Sequence, residues 1–94
     1  MDLRWTRSAT KHRIGRDRSS FVVEHCGLRF EQPPPAGAPA EAEARLLYLG
    51  DDANGVALEV MAIELEDKSL LVIHAMQLRE RYRPQYEEAK RWRR

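Results

Sequence analysis

Three apolar segments in the second half of the chain restrict its fold more than any other feature. They span residues 45–50 (RLLYLG), 56–66 (VALEVMAIELE) and 69–77 (SLLVIHAMQ). The loop at 51–55 contains Asn-Gly, which favours a tight hairpin turn, and the loop at 66–69 is shorter still. Apolar segments of this length, joined by such loops, predict three antiparallel strands in a meander. Both faces of the last strand are apolar, so we expect it to be central or covered on both sides.

The chain before the meander predicts one short strand, at 3–6, and then two helices, at 7–14 and 17–25. Gly15 and Gly27 follow these helices, and glycine accepts the left-handed backbone that commonly ends a helix. Neighbouring β-branched residues in the second helix leave a strand as the alternative there. The N-terminal part therefore adds one strand and two helices to the meander.

The other segments predict a linker, a further helix and a short extended piece. Residues 33–44 hold four of the five prolines and predict a flexible, solvent-exposed insert. A C-terminal helix is expected over 79–93, with Pro84 tolerated in its first turn. Residues 28–32 form a short alternating segment. The expected fold is a single α+β domain over 1–94: a small antiparallel sheet, two N-terminal helices and one C-terminal helix.

Charge is strongly segregated along a chain whose net charge is only +1. Residues 1–20 and 79–94 are each basic, whereas residues 21–78 are acidic. If the two ends meet in space, they form a basic face that attracts phosphate groups. The alternative is that they are solvated tails that balance the acidic middle.

Composition excludes several classes of protein. A single cysteine, Cys26, excludes an internal disulfide framework and argues against a cysteine-based metal site. No apolar run approaches the roughly 18 residues that a membrane span needs, and the N-terminus has no signal-peptide pattern. We expect a soluble cytoplasmic protein with no membrane partner, no metal and no cofactor.

Residues suited to phosphodiester chemistry lie at both ends of the chain. Histidine can act as base or acid near neutral pH, arginine binds phosphate through two donors, and aromatic rings stack on bases. His74 shares one face of an apolar strand with Leu70, Val72 and Met76. It is therefore either a site residue at a cleft or a buried histidine that bonds a backbone carbonyl or Glu59. Glu59 itself is expected to face solvent, as are Glu64 and Glu66.

The segments LRWT, KHRI, RLLYLG, LEV and LLVIHAMQLRERYRPQYEE, in this order, resemble the BrnT-type toxins within the RelE-like ribonucleases. The resemblance spans nearly the whole chain apart from the proline-rich insert. It implies a RelE/BrnT-like fold and a metal-independent endoribonuclease that arrests growth. It also implies a cognate antitoxin, often a ribbon-helix-helix DNA-binding protein, and oligomers only as a toxin–antitoxin complex.

The resemblance, together with the chemistry above, also suggests site residues. The KH pair of the family falls on Lys11 and His12, and its arginine after the last strand falls on Arg79. The expected catalytic residues are His74, Arg79, His12 and Tyr82. The expected RNA-binding residues are Lys11, Arg13, Arg83, Tyr86 and Lys90. Core packing is the alternative for the tyrosines, and a non-catalytic protein that binds nucleic acid or a partner is the alternative function.

Overall fold

The predicted meander forms the centre of the structure. The computed structural model describes residues 2–26, 28–34, 36–37 and 44–92. The three meander strands, numbered in chain order, are β3 (Arg45–Asp51), β4 (Ala57–Glu64) and β5 (Leu70–Gln77). β4 pairs antiparallel with both β3 and β5, as the short loops require.

Two further strands extend the meander on its two edges. β1 (Leu3–Trp5) lies beside β5 and β2 (Arg29–Gln32) lies beside β3, giving the order β1-β5-β4-β3-β2. β1 runs parallel to β5, so the sheet has five strands and is mixed. The prediction of an antiparallel sheet was wrong for β1, which pairs parallel with β5. β5 lies more than sixty residues away along the chain, so no local pattern indicates the direction of this pairing.

Two α-helices are present in the described residues, α1 (Arg16–His25) and α2 (Arg83–Arg91). The helix predicted over 7–14 is only a short 3₁₀ helix, Arg7–Thr10, and a second 3₁₀ helix, Glu80–Tyr82, precedes α2. The prediction for α1 is confirmed within one residue, and α2 begins with Pro84 in its first turn as expected.

In the turn between the first 3₁₀ helix and α1, the residue with a left-handed backbone is not the predicted glycine. Arg13 takes the left-handed backbone conformation, with φ of 66°. Gly15 has φ of −67° and ψ of 165°, which is extended backbone, and it precedes α1 as its N-cap. Gly15 therefore does not end a helix, and a non-glycine residue makes the unusual turn instead. Gly27 lies outside the described residues.

Each face of the sheet covers its own apolar cluster. The cluster under α1 contains Val22 and Val23 of the helix packed on residues of three strands, among them Leu58, Val60 and Val72. The cluster under α2 consists of five buried residues: Leu47, Leu49, Met61, Tyr82 and Tyr86. The central strands are thus covered on both sides, as expected for the apolar pattern of β5.

An irregularity in the β4–β5 pairing decides which way His74 points. Met61 pairs with His74 and Ala62 pairs with Val72, so Ile73 is an extra residue on β5. Beyond this bulge the alternation reverses: Ala75 joins Val72 in the cluster under α1, and His74 lies on the α2 side. The prediction that His74 shares a face with Val72 was therefore wrong.

Some predictions fall on residues that the structure does not describe. Within the proline-rich insert, positions 35 and 38–43 lie outside the described residues, as do the last two arginines of the chain. Among the described residues, no helix is both long enough and apolar enough to cross a membrane.

Candidate functional site

A buried carboxylate organises the end of β5. Glu59 lies on β4, the middle strand of the sheet, and its side chain is 0% exposed. Its Oε1 accepts a hydrogen bond from the backbone N–H of Arg79 at 2.9 Å, and its Oε2 accepts one from Nη2 of Arg79 at 2.8 Å. Nε of Arg79 lies 3.2 Å from Oε1 and 3.1 Å from Oε2. This forked contact compensates the charge of a carboxylate that water does not reach.

The same carboxylate holds His74. Nε2 of His74 lies 3.1 Å from Oε2 of Glu59. This contact confirms the alternative in which Glu59 partners His74, and it shows that the expectation of a solvent-facing Glu59 was wrong. Within the described residues, Nδ1 of His74 makes no hydrogen bond. If Nε2 donates to Glu59, Nδ1 is left as the ring nitrogen that can accept a proton.

The buried Glu59 and the partly buried His74 both have shifted pKa values. Burial alone would raise the pKa of Glu59, but the side-chain and backbone hydrogen bonds from Arg79 outweigh it and hold the pKa below its usual value. Burial is the largest influence on the pKa of His74 and lowers it, whereas the hydrogen bond and the charge of Glu59 raise it. The positive charges of Arg79 and His12 act in the same direction as burial. His74 is therefore neutral at pH 7, as a general base must be.

His12 lies next to His74 although the two are far apart in sequence. Their ring centroids are 5.7 Å apart, with an angle of 67° between the ring planes. β1 pairs only with the first three residues of β5, and the first 3₁₀ helix packs against β5. The turn that follows this 3₁₀ helix carries His12 to the edge of β5. The fold thus brings together two imidazoles and a guanidinium.

His12 lines a neighbouring cleft, whereas His74 and Arg79 line a cleft of about 450 Å³. Its lining residues are Gln32, Arg45, Met61, Ile73, His74, Arg79, Arg81 and Tyr82. Tyr82 is buried, and its hydroxyl oxygen accepts a hydrogen bond from Nε2 of Gln32 at 3.4 Å. The guanidinium carbons of Arg79 and Arg81 lie 5.6 Å and 5.1 Å from the centroid of its ring. Tyr82 therefore supports two arginines from within the cluster under α2.

The structure separates the predicted RNA-binding residues into two groups. Lys11 and Arg13 are exposed beside His12, and Arg13 shares with it a neighbouring cleft of about 400 Å³. Arg83, Tyr86 and Lys90 lie on α2, and none of them lines the His74 cleft.

The second group has other contacts. Tyr86 is buried and its hydroxyl donates to the carboxylate of Asp51, while Arg83 and Lys90 lie against its ring. Arg83 also pairs with Glu80 and Glu87, each at 3.8 Å. Both tyrosines pack in the core, which confirms the alternative of core packing for the tyrosine stripe.

Three residues of the cleft were missed in the sequence, Gln32, Arg45 and Arg81, and Glu59 was expected only as an alternative partner of His74. Glu59 carried a usable signal, since Met61 and Ile63 share its side of an alternating apolar strand. A charge on a face that is otherwise apolar needs a buried partner. Arg45 and Gln32 carried no such signal, because their position depends on how β2 pairs with β3.

No group of three or more histidine, cysteine, aspartate or glutamate side chains is arranged to hold a metal ion in the part of the chain that the structure describes. Comparisons of the chain with protein-family models, with curated proteins and with solved structures found no match.

Proposed function

We propose that this chain is a metal-independent endoribonuclease and the toxin of a cytoplasmic type II toxin–antitoxin pair, as its resemblance to the BrnT-type toxins suggests. One observation supports the proposal most strongly: His74, oriented by Glu59, lines a cationic cleft together with Arg79 and lies beside His12. Two imidazoles and an arginine provide the base, the acid and the cation that RNA cleavage by general acid–base catalysis requires.

The hydrogen bonds of Glu59 suggest a role for each group. Nδ1 of His74 takes the proton of the ribose 2′-OH, and the 2′-oxygen attacks the adjacent phosphorus. Arg79 bonds Glu59 through Nε and Nη2, so Nη1 is left to bind a phosphate oxygen as negative charge builds up. His12, which is exposed, protonates the leaving 5′-oxygen as its bond to phosphorus breaks. The products are a 2′,3′-cyclic phosphate and a 5′-hydroxyl end.

Tyr82 fits this scheme as a positioning residue. Its ring is buried, and the guanidinium groups of Arg79 and Arg81 lie against it. A base has no open ring face to stack on there. We propose that Tyr82 holds Arg79 in place for the phosphate.

The partner that the proposal implies is an acidic segment of an antitoxin, such as a ribbon-helix-helix protein, which covers the cleft. An exposed set of positive charges attracts such a segment rapidly at low salt. The complex should therefore form more slowly as the salt concentration rises.

The test is cleavage of an end-labelled single-stranded RNA by the purified chain with EDTA present. We expect His74→Ala and Arg79→Ala each to reduce the cleavage rate by about 100-fold or more. The matched control is His25→Ala, which removes an exposed histidine that does not line the cleft. Its rate should equal that of the wild type.

A second candidate function is binding of nucleic acid or of a partner without turnover. The observation that favours it is that Glu59 engages both His74 and Arg79, an arrangement that also stabilises a protein that performs no chemistry. Folded wild-type protein that binds the RNA but leaves it intact, with and without translating ribosomes, would support this second function and refute the first.

A further inference from the structure

The cleft around His74 holds more positive charge than Glu59 balances. Three of its lining residues are arginines, Arg45, Arg79 and Arg81, and no carboxylate lines it in the described part of the chain. Of these arginines, Glu59 bonds only Arg79. Neither Arg45 nor Arg81 has an ion-pair partner within 4.0 Å among the described residues. Nothing in the described part of the chain pairs with these two positive charges.

The contacts of these two arginines orient them without neutralising them. Nη1 of Arg45 lies 3.9 Å from Sδ of Met61, and a thioether sulfur is only a weak acceptor. The guanidinium of Arg81 lies against the ring of Tyr82, which is itself held by Gln32. Both guanidinium groups keep most of their donors available for a ligand.

A second cleft of similar size provides a contrast. It has a volume of about 320 Å³ and lies on the other side of β3. Two cations, Arg29 and Lys68, line it together with three carboxylates, Glu31, Glu64 and Glu66. Clefts in this protein are therefore not cationic by default. The neighbouring cleft of His12 also holds two arginines, Arg13 and Arg18, but Arg18 is paired with Asp52.

From this distribution of charge we infer that Arg45 and Arg81 form a second phosphate subsite, so that the cleft binds single-stranded oligoribonucleotide through more than one phosphate. One phosphate lies at His74 and Arg79, and a neighbouring one lies at Arg45 and Arg81. Gln32, which also lines the cleft, offers its amide to the nucleotide. The inference rests on the proposed function for the choice of RNA as the ligand. It goes further by requiring a substrate long enough to place a phosphate at each of the two positions.

The test measures binding, so that it does not depend on cleavage. Methylated 2′-oxygens cannot attack phosphorus, so 2′-O-methyl oligoribonucleotides stay intact. Dissociation constants are measured for a dinucleotide, which has one phosphate, and for a tetranucleotide at several salt concentrations. The wild type should bind the tetranucleotide more tightly, and each added phosphate contact should steepen the log–log salt slope by about 0.7.

The variant that tests the subsite is the double substitution Arg45→Gln, Arg81→Gln. It should weaken tetranucleotide binding about tenfold, lower the salt slope, and leave dinucleotide binding unchanged. The matched control, Arg7→Gln with Arg16→Gln, removes the same charge at two exposed positions outside the cleft. It should leave both affinities unchanged, and thermal unfolding checks that both double variants fold.

Three results would overturn the inference. The Arg45→Gln, Arg81→Gln protein could lose affinity equally for both oligonucleotides, it could lose affinity for neither, or the control protein could lose as much affinity. Tighter binding of a polyglutamate peptide than of RNA would also overturn it, by making the arginine pair a docking site for acidic protein. If the length effect appears but the wild type cleaves no RNA, the subsite stands and the nuclease proposal fails. If the wild type cleaves RNA without a length effect, only the subsite fails.

Discussion

The face of the sheet under α1 is closed mainly by aliphatic side chains, whereas the face under α2 buries the carboxylate of Glu59 within the sheet, among its apolar residues. On the α1 side, Nε1 of Trp5 donates to Oγ of Ser19 at 2.9 Å, and the buried carboxylate of Asp52, in the loop after β3, pairs with Nε of Arg18 at 2.8 Å. Under α2, Glu59 joins two strands and the segment that leads to the last helix. The two sides thus differ in where a carboxylate is buried: at a loop on the α1 side, and within a strand on the α2 side, where its partners His74 and Arg79 line the cleft.

The largest effect on stability is expected on the α1 side. Leu58 is fully buried there, and Leu58→Ala should lower the free energy of unfolding by about 2–5 kcal/mol, because it removes apolar contacts and leaves a cavity. Urea denaturation measures this change. The affinity of the folded variant for the tetranucleotide should stay at the wild-type value. A fully folded Leu58→Ala protein with reduced affinity for the tetranucleotide would show that the two faces are coupled.

Glu59→Gln tests the α2 side with a side chain of nearly the same shape. The amide turns a donor toward groups that already donate, so contacts with Arg79 or His74 are lost. We expect a loss of about 2–3 kcal/mol in unfolding free energy, because the side chain of Arg79 is partly exposed and can turn to water.

Cleavage should fall with the Glu59→Gln change as well, since His74 loses the group that orients it. The two substitutions should therefore have different effects: Leu58→Ala should change stability alone, and Glu59→Gln should change both stability and cleavage rate. A Glu59→Gln protein with the wild-type rate would refute the role of Glu59 as a positioning residue.

The smallest expected effect is that of mild acid, because burial and Glu59 act in opposite directions on His74. The pKa of His74 is lower in the folded state than its usual 6.5, so its contribution to stability is present above that pH and is lost as the pH falls through the folded value. Wild-type unfolding free energy should decline below pH 6.5, and His74→Gln should reduce this decline. The cleavage rate should fall over the same range as His74 becomes protonated.

A second decline is expected at lower pH. The pKa of Glu59 is held below its usual 4.5, so its contribution is lost as the pH falls below that value. Asp52, whose pKa is lowered first by a backbone hydrogen bond from Val56, contributes in the same range. His74→Gln should leave this second decline in unfolding free energy in place. A His74→Gln protein that had lost both declines would contradict the assignment of the first one to His74.

Much of the local structure could be predicted because local patterns carried it. The meander strands agree with the predicted segments within two residues at each end, and Pro84 lies in the first turn of α2. The site could be predicted only in part. His74 and Arg79 were expected, and the structure brings them together with His12, but Arg83 and Tyr86 belong to another surface. A helical spacing indicates which residues share a side of α2, and it does not indicate what that side packs against.

The amino-acid sequence alone determined the meander strands, the loops that join them and α2, because alternation, Asn-Gly and proline act over a few residues through backbone sterics and burial. Only the tertiary structure decided the parallel pairing of β1 with β5, the bulge at Ile73 and the meeting of the two histidines. The partners of Glu59 lie fifteen and twenty residues away along the chain. A buried charge needs such partners, and their distance depends on strand register, which no local pattern specifies.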